Sequence, residues 1–376
     1  MQKLAANKQL NFLLKSFCLG EDKVNLDDSV ASWAQYVGLG AIAYDYGIIN
    51  SSFITDDLKA QNLTTQFWFG MQLQSIKNIV KSLNDSNIVP CLLKGISTST
   101  AIYAKPHYRG MRDLDILINV NEIEEAERII AALGYEQRST FPSEFYQSHH
   151  HTMPWQNIES EVWLEVHKQL FPISSPISKT SIFNIDAIRR ELKREEFYGM
   201  QVYRINYELQ IIYIAIHWAE NYKQVGAMFG LLDIALIINK HRDDLDWLKI
   251  VSWANDKQVS NFVYTALSFI TENHYVNKDY SGHVNKINHT MGCGVKRIIN
   301  SLIKGYFLEG KAYGRVMTLS NIEIIWTHLL APRMSCLKLL LMPIYIVFPK
   351  KADNRFQFAF LFSRLLTLVG FKKNNN

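Results

Sequence analysis

The chain has 376 residues, 48% of them hydrophobic and 20% charged, with a formal net charge of +5; that is enough for two or three domains and a real core. The charge is uneven: residues 331–376 carry eight Lys/Arg and one Asp, an excess of +7 that leaves the remainder at about −2, too near neutral for broad nucleic-acid binding. Four scattered cysteines (Cys18, Cys91, Cys293, Cys336) without a CxxC pair argue against a disulfide framework or a cysteine zinc site and fit a reducing cytosol, and no leader-like apolar run or stretch of about 20 apolar residues stands out.

Residues 1–85 read as mostly helical. "QFWFGMQLQSIKNIVKSLNDSNI" repeats apolar residues at three and four and stops at Asn84-Asp85. "IVPCLLKG" is a short apolar run ending in Gly95, a buried strand followed by a turn. "STSTAIYA" opens with good capping residues and predicts a short helix. "DLDILINV" is a strand with Asp113 and Asp115 at its head, although Asp is a poor strand former. "NEIEEAERIIAALGY" is an amphipathic helix with Asn121 as cap and Gly134 at its end. "EFYQSHHHTMPWQ" and "SEVWLEVHKQL" predict two strands around a turn near Asn157. From about 205 the pattern turns helical: "YELQIIYIAIHWAEN", "GLLDIALIINK", "DLDWLKIVSWANDK" and "NFVYTALSFITEN" follow with short polar breaks. The division is therefore 1–85 N-terminal helices, 86–204 a small α/β core, 205–330 a helical domain and 331–376 a basic amphipathic tail.

Strand side chains alternate faces. Asp113 and Asp115 thus share one face, opposite Leu114, Ile116 and Ile118. Two such carboxylates repel and raise each other's pKa unless a cation lies between them. Either the strand has a solvated mouth, or the pair holds a hard divalent cation such as Mg²⁺. Two neighbours bear on the choice. "LLKGISTST" puts Lys94, Gly95 and Ser97 at a strand-to-helix junction, where backbone amides favour an anion; an ordinary capped helix is the other reading. "WLEVH" puts Glu165 on one face with Trp163 and His167, as a third carboxylate or an exposed charge.

Together these parts resemble a known family. A helix-opening Gly-x-Ser, a strand with alternating Asp and a later acidic strand residue are similar to the polymerase-β-type nucleotidyltransferase pattern. "LLKG", "RGMRDLDILI", "ALGYE", "WLEVHKQL" and "IAIHWAEN…GLLDIALII…LDWLKIVSWA" resemble, more narrowly, the uncharacterised nucleotidyltransferase family over roughly 40–330. One departure is the spacing: Gly95-Ile96-Ser97 stands farther from Asp113 than the superfamily's Gly-Ser does. The resemblance implies an α+β fold with a polymerase-β-like core, flanking N-terminal helices and a C-terminal helical domain. It also implies an enzyme that moves an NMP from an NTP to a hydroxyl or phosphate acceptor. Asp113, Asp115 and Glu165 would hold Mg²⁺ (or Mn²⁺), and Glu165 would complete the second metal site or activate the acceptor. Lys94, Gly95, Ser97 and Arg109 would bind the nucleotide. Bacteria often encode such proteins beside glycan or modified-peptide biosynthesis genes. A pair of shared metals requires the carboxylates within about 8 Å of one another.

His149–His151 invite a zinc reading, but no Cys or second His pair stands nearby at ligand spacing. Alternation would send His149 and His151 one way and His150 the other. His167, His151 and Asp233 are candidates to line a cleft. Asp233 interrupts an all-round apolar helix and so needs a partner; His217 is a candidate, and a satisfied core histidine is the plainer reading. The tail suits either an amphipathic element on an anionic membrane surface or a docked helix pair. Two rival functions remain: a DxD glycosyltransferase, disfavoured by the helical first 85 residues, and a non-catalytic binder on a nucleotidyltransferase scaffold.

Overall fold

The computed structural model describes residues 2–289 and Ile303, apart from 174, 222–226 and 257. The basic tail at 331–376, the far end of the helical domain and Cys293 and Cys336 lie outside the described residues.

Four helices open the chain: α1 (Gln2–Leu19), α2 (Asp28–Tyr36), α3 (Gly40–Tyr46) and α4 (Ser52–Asp85). Two two-residue strands, β1 (Val24–Asn25) and β2 (Gly47–Ile48), pair in parallel between them, too short for a sequence period to reveal. Helix α4 runs 34 residues from a Ser51 cap whose side chain accepts from Ile54 N–H. It ends at Asp85 as the polar "NDS" predicts.

There follow β3 (Cys91–Leu92), α5 (Lys94–Ala101), β4 (Asp113–Leu117), α6 (Ile123–Ala132), β5 (Tyr135–Gln137), α7 (Ser143–Gln147), β6 (Trp155–Asn157), β7 (Trp163–His167), α8 (Ile185–Arg190), β8 (Leu192–Phe197) and β9 (Met200–Ile205). The elements that follow, among the described residues, are α9 (Tyr207–Asn221), α10 (Met228–His241), α11 (Trp247–Ala254), α12 (Ser260–Glu272) and α13 (Ser281–Val284). The fold is α+β. Among the described residues, no helix is long and apolar enough to cross a membrane.

Seven strands form one mixed sheet in the order β5-β6-β7-β4-β3-β9-β8. Alternation gives it two faces with different partners. Leu92, Leu114, Ile116, Leu164, Val166 and Val202 pack against Ile76, Ile79, Val80 and Leu83 of α4 and Ile123, Ala126 and Ile130 of α6. The opposite face carries Asp113, Asp115, Glu165 and His167 toward α9 and α10. Those two helices are apolar all round and buried: Leu209, Ile211, Ile212, Leu231, Leu232 and Ile234 are all inaccessible.

Three details differ from the expectation. "EFYQSHHH" is helix α7 followed by a loop, and within it His151 alone makes a strand-like bridge to β7, at His167. The hairpin β8–β9 was not anticipated, because "LKREEF" is too charged to read as a strand. Its signal was the two-residue turn Tyr198-Gly199, both with positive φ (50° and 81°). Helix α5 starts at Lys94, before the Ser/Thr run that was expected to cap it, and its N-cap Leu93 makes no side-chain cap bond.

Asn84 ties the end of α4 to the sheet: its Nδ2 donates to Ile88 O (3.1 Å) and Gln201 O (3.0 Å), and its Oδ1 accepts from Gln201 N–H (2.8 Å). Asn84→Ala should lower stability by about 1–3 kcal/mol, because three backbone groups lose their partner. Asn84→Asp can still accept from Gln201 N–H but sets a carboxylate oxygen against the Ile88 and Gln201 carbonyls, so it should not restore the thermal unfolding midpoint.

Candidate active site

Strands β4 and β7 are parallel neighbours, and the register sets Asp115 directly opposite Glu165, Asp113 opposite Trp163 and Leu117 opposite His167. Parallel strands lie about 4.8 Å apart, so paired residues share a face and touch. The result is a buried cluster. Ligand atoms of Asp115, Glu165 and His167 all lie within 4.8 Å of one another. Asp113 lines the same cleft one pleat away.

Lys94 supplies the positive charge. It follows β3, which pairs with β4, and the Leu93 N–H donates to Asp115 O (3.0 Å). Its backbone is left-handed, φ 43°, a conformation that costs a non-glycine residue about 1–3 kcal/mol and recurs at functional sites. That backbone turn starts α5 with Nζ 2.7 Å from Asp115 Oδ1 and 3.9 Å from Glu165 Oε2. His167 Nε2 lies 2.8 Å from the same Asp115 Oδ1 and 3.4 Å from Glu165 Oε2.

These contacts separate two neighbouring carboxylates chemically. Burial and the Asp115 charge push Asp113 up to about 7. Burial would raise Asp115 too, but Lys94 and the hydrogen bond to His167 outweigh it and hold Asp115 well below the usual range. Glu165 is buried yet also held down, by the His167 hydrogen bond and by Lys94. Burial and Lys94 disfavour the His167 imidazolium, but the bonds to Asp115 and Glu165 raise its pKa.

The cleft, about 390 Å³, has β4, β7 and the α5 start as its floor and α9 and α10 as its roof. Its lining includes Lys94, Gly95, Arg109, Asp113, Asp115, His150, His151, Glu165, His217 and Asp233. Arg109 reaches the roof: its Nε donates to both Asp233 oxygens at 3.1 Å, and Tyr103 Oη donates to Asp233 Oδ1 at 2.7 Å. Asp233 is 1% exposed, so this pairing answers its need for a partner; Tyr103 was missed, since nothing local links it to a residue 130 positions on. Gly95 sits under Met111, whose Cγ would lie 2.7 Å from an added Cβ, so a side chain there would push into the loop that leads to Asp113.

Two expected site residues are placed differently from their sequence reading. Ser97 is 1% exposed, one turn inside α5, and its hydroxyl accepts from Arg204 Nη1 (3.2 Å) and Gln210 Nε2 (3.5 Å). The early helix start removes it from the cleft lining. His150, expected to point away from His151, lines the cleft beside it, because the run is a loop and does not alternate.

Residues 51–273, more than half of the chain, match the model of a family described as "Uncharacterised nucleotidyltransferase". Among solved structures, the chain is similar to ANT(2")-Ia in complex with adenylyl-2"-tobramycin, with 11% identity, 52% of this chain and 97% of that chain covered, and a TM-score of 0.31. It is also similar to an antigenic nucleotidyltransferase-like protein from Paracoccidioides brasiliensis, with 14% identity, coverage of 57% and 92%, and a TM-score of 0.35. No curated protein matches the chain.

Replacing Lys94 by Met leaves Asp115 and Glu165 buried without their ammonium. The expected loss is about 3–5 kcal/mol, the range for breaking one side of a buried pair, read by thermal or denaturant unfolding. The sign with pH follows from the two shifts. The lowered Asp115 contributes stability above its ordinary value of 3.8 and loses it as pH falls further. The raised Lys94 contributes below its ordinary value of 10.5. The gap between wild type and Lys94→Met should therefore be full between those values and close on acidification.

Proposed function

This chain belongs to the uncharacterised nucleotidyltransferase family, and from that premise we propose that it moves an NMP from an NTP to a hydroxyl or phosphate acceptor with the help of Mg²⁺ or Mn²⁺. The observation that carries the reading is the register of β4 on β7, which brings Asp115 and Glu165 side by side with Asp113 next along the same cleft. The division of labour we propose assigns the cation and nucleotide to residues 86–204 and the acceptor to the cleft between them and the helices from 205 on.

The donor set suits a hard cation. Three carboxylates supply oxygen, the atom Mg²⁺ and Mn²⁺ prefer. His167 belongs behind them: its Nε2 holds Asp115 in place, as outer partners hold ligating carboxylates. A cation bound there would neutralise the charge of the triphosphate and of the departing pyrophosphate. Lys94 would then exchange Asp115 for phosphate oxygens, its long stem allowing the swing. Arg109, fixed by Asp233, would meet phosphate from the roof side of the cleft. Gly95 keeps the junction narrow, and Ser97 has no part in binding. The acceptor oxygen attacks the α-phosphorus, the bond to the β-bridging oxygen breaks, and pyrophosphate leaves with that oxygen. Glu165 would either complete the second metal site or take the acceptor's proton. The acceptor we propose comes from glycan or modified-peptide biosynthesis, and the cleft of about 390 Å³ beside the carboxylates is where it would enter.

The test incubates the full chain with each labelled NTP, Mg²⁺ and a panel of hydroxyl and phosphate acceptors, beside Asp113→Ala/Asp115→Ala. Metal-dependent label transfer that is lost in the double variant is expected; NTP binding without transfer to any acceptor would favour a non-catalytic binder, and the absence of both transfer and metal-dependent NTP binding would overturn the reading. Mg²⁺ binding should also depend on pH. Without metal, raised Asp113 holds its proton up to about pH 7, so the stability from that proton is present below 4 and lost as pH rises through 7. Mg²⁺ must displace it below pH 7. The stabilisation by Mg²⁺, read from thermal unfolding, should therefore be larger at pH 8 than at pH 6, by up to about 1.4 kcal/mol per pH unit.

A further inference from the structure

Next to the carboxylates the chain assembles a second, nitrogen-rich cluster. The rings of His149, His150 and His151 pack with centroids 4.2 Å (149–150), 4.2 Å (149–151) and 4.8 Å (150–151) apart. One nitrogen of each lies within 4.8 Å of the others. Nitrogens about 2.1 Å from a tetrahedral zinc are roughly 3.4 Å apart, so closing the set needs only small ring rotations. Consecutive residues rarely converge like this, and here the backbone forces it. Lys168 N–H donates to His150 O (2.8 Å) and Thr152 N–H to Val166 O (2.9 Å), which pins the loop against the end of β7.

The hydrogen bonding of the rings matches that of ligands awaiting an ion. Among the described residues, the Nδ1 atoms of His149 and His150 are buried with no hydrogen-bond partner, although buried polar atoms are nearly always paired. His151 Nδ1 lies 2.6 Å from the Thr152 carbonyl and donates to it. That bond fixes the tautomer and leaves the Nε2 lone pair toward Glu165, whose Oε1 is 3.7 Å away. A ligating histidine bonded to a carbonyl through its other nitrogen is the usual support of a metal site.

We propose that His149, His150 and His151 form a binding site for a divalent transition cation of the zinc class, with its fourth position open to the cleft that His150 and His151 line. Three imidazoles select zinc, nickel or copper, whereas the neighbouring carboxylates select Mg²⁺ or Mn²⁺, so two cations of different hardness can be held side by side. An open position beside three protein ligands is the arrangement that takes water or a substrate oxygen. The site itself does not depend on nucleotide transfer being the reaction.

The measurement uses the full chain, stripped with a chelator and titrated with Zn²⁺ against a competing chelator. One zinc per folded chain is expected, bound more tightly than by the urea-unfolded chain. His149→Gln/His150→Gln should weaken it by at least about 100-fold, the upper end of what losing an outer partner alone costs. Asp113→Ala/Asp115→Ala should keep it, which separates this site from the carboxylate site. Equal affinity in folded and unfolded chains, no loss in the histidine variant, or parallel loss in the aspartate variant would each overturn the proposal. If the histidine variant does not fold, Co²⁺ in the wild type decides: intense visible bands of a four-coordinate nitrogen site support it, and weak octahedral bands sink it.

Discussion

The structure turns on one electrostatic constraint: three carboxylates share one face of two adjacent parallel strands, under a helical roof, with little water to screen them. Such a cluster survives only with cations among its members. Lys94 and His167 both meet the same oxygen of Asp115, so that carboxylate is held ionised while Asp113, one pleat further out, keeps its proton near neutrality. The left-handed backbone at Lys94 lies where β3 gives way to α5, and from there the ammonium reaches Asp115 on β4.

A second charge pair sets the roof. Asp233 sits on a helix that is apolar all round, and Arg109, from the loop before β4, crosses the cleft to meet it with Tyr103. The pair links α10 to the loop that leads into the carboxylate strand, so roof and floor hold each other in position. Gly230, also on α10, lets the backbone come close to Trp218 of α9; an added Cβ would lie 2.9 Å from the Trp218 Cβ. The roof is thereby packed tightly at the cleft wall, and its polar residues face the carboxylates across a narrow gap.

Much of this was legible in the chain. The end of α4, the β4 strand, the amphipathic α6 with Gly134 at φ 81° and the helices α9 to α12 follow from apolar period, but Asn121 does not cap α6: a 3-10 turn over Val120–Glu122, capped by Asn119, comes before it. The elements that escaped are those whose local signal is weak or misleading. The hairpin β8–β9 is charged on its exposed side, and the helix α7 was read as a strand because aromatic and histidine residues suit both. The Ser/Thr run predicts a cap at Ser97, yet α5 begins at Lys94, and Ser97 lies inside the helix, where its hydroxyl accepts from Arg204.

What the sequence by itself determined is which residues share a face. Backbone geometry makes strand side chains alternate, so Asp113 with Asp115, and Glu165 with His167, were bound to point the same way wherever those strands went. Which strands became neighbours, and in what register, was decided only by the tertiary structure. Asp115 meets His167 across 52 residues and Arg109 meets Asp233 across 124, and no local pattern encodes either distance. The same holds for the three histidines, which converge only because β7 pins their loop. Long-range pairing is settled by burying the other face of the sheet against α4 and α6, and the chemistry follows from the face that burial leaves over.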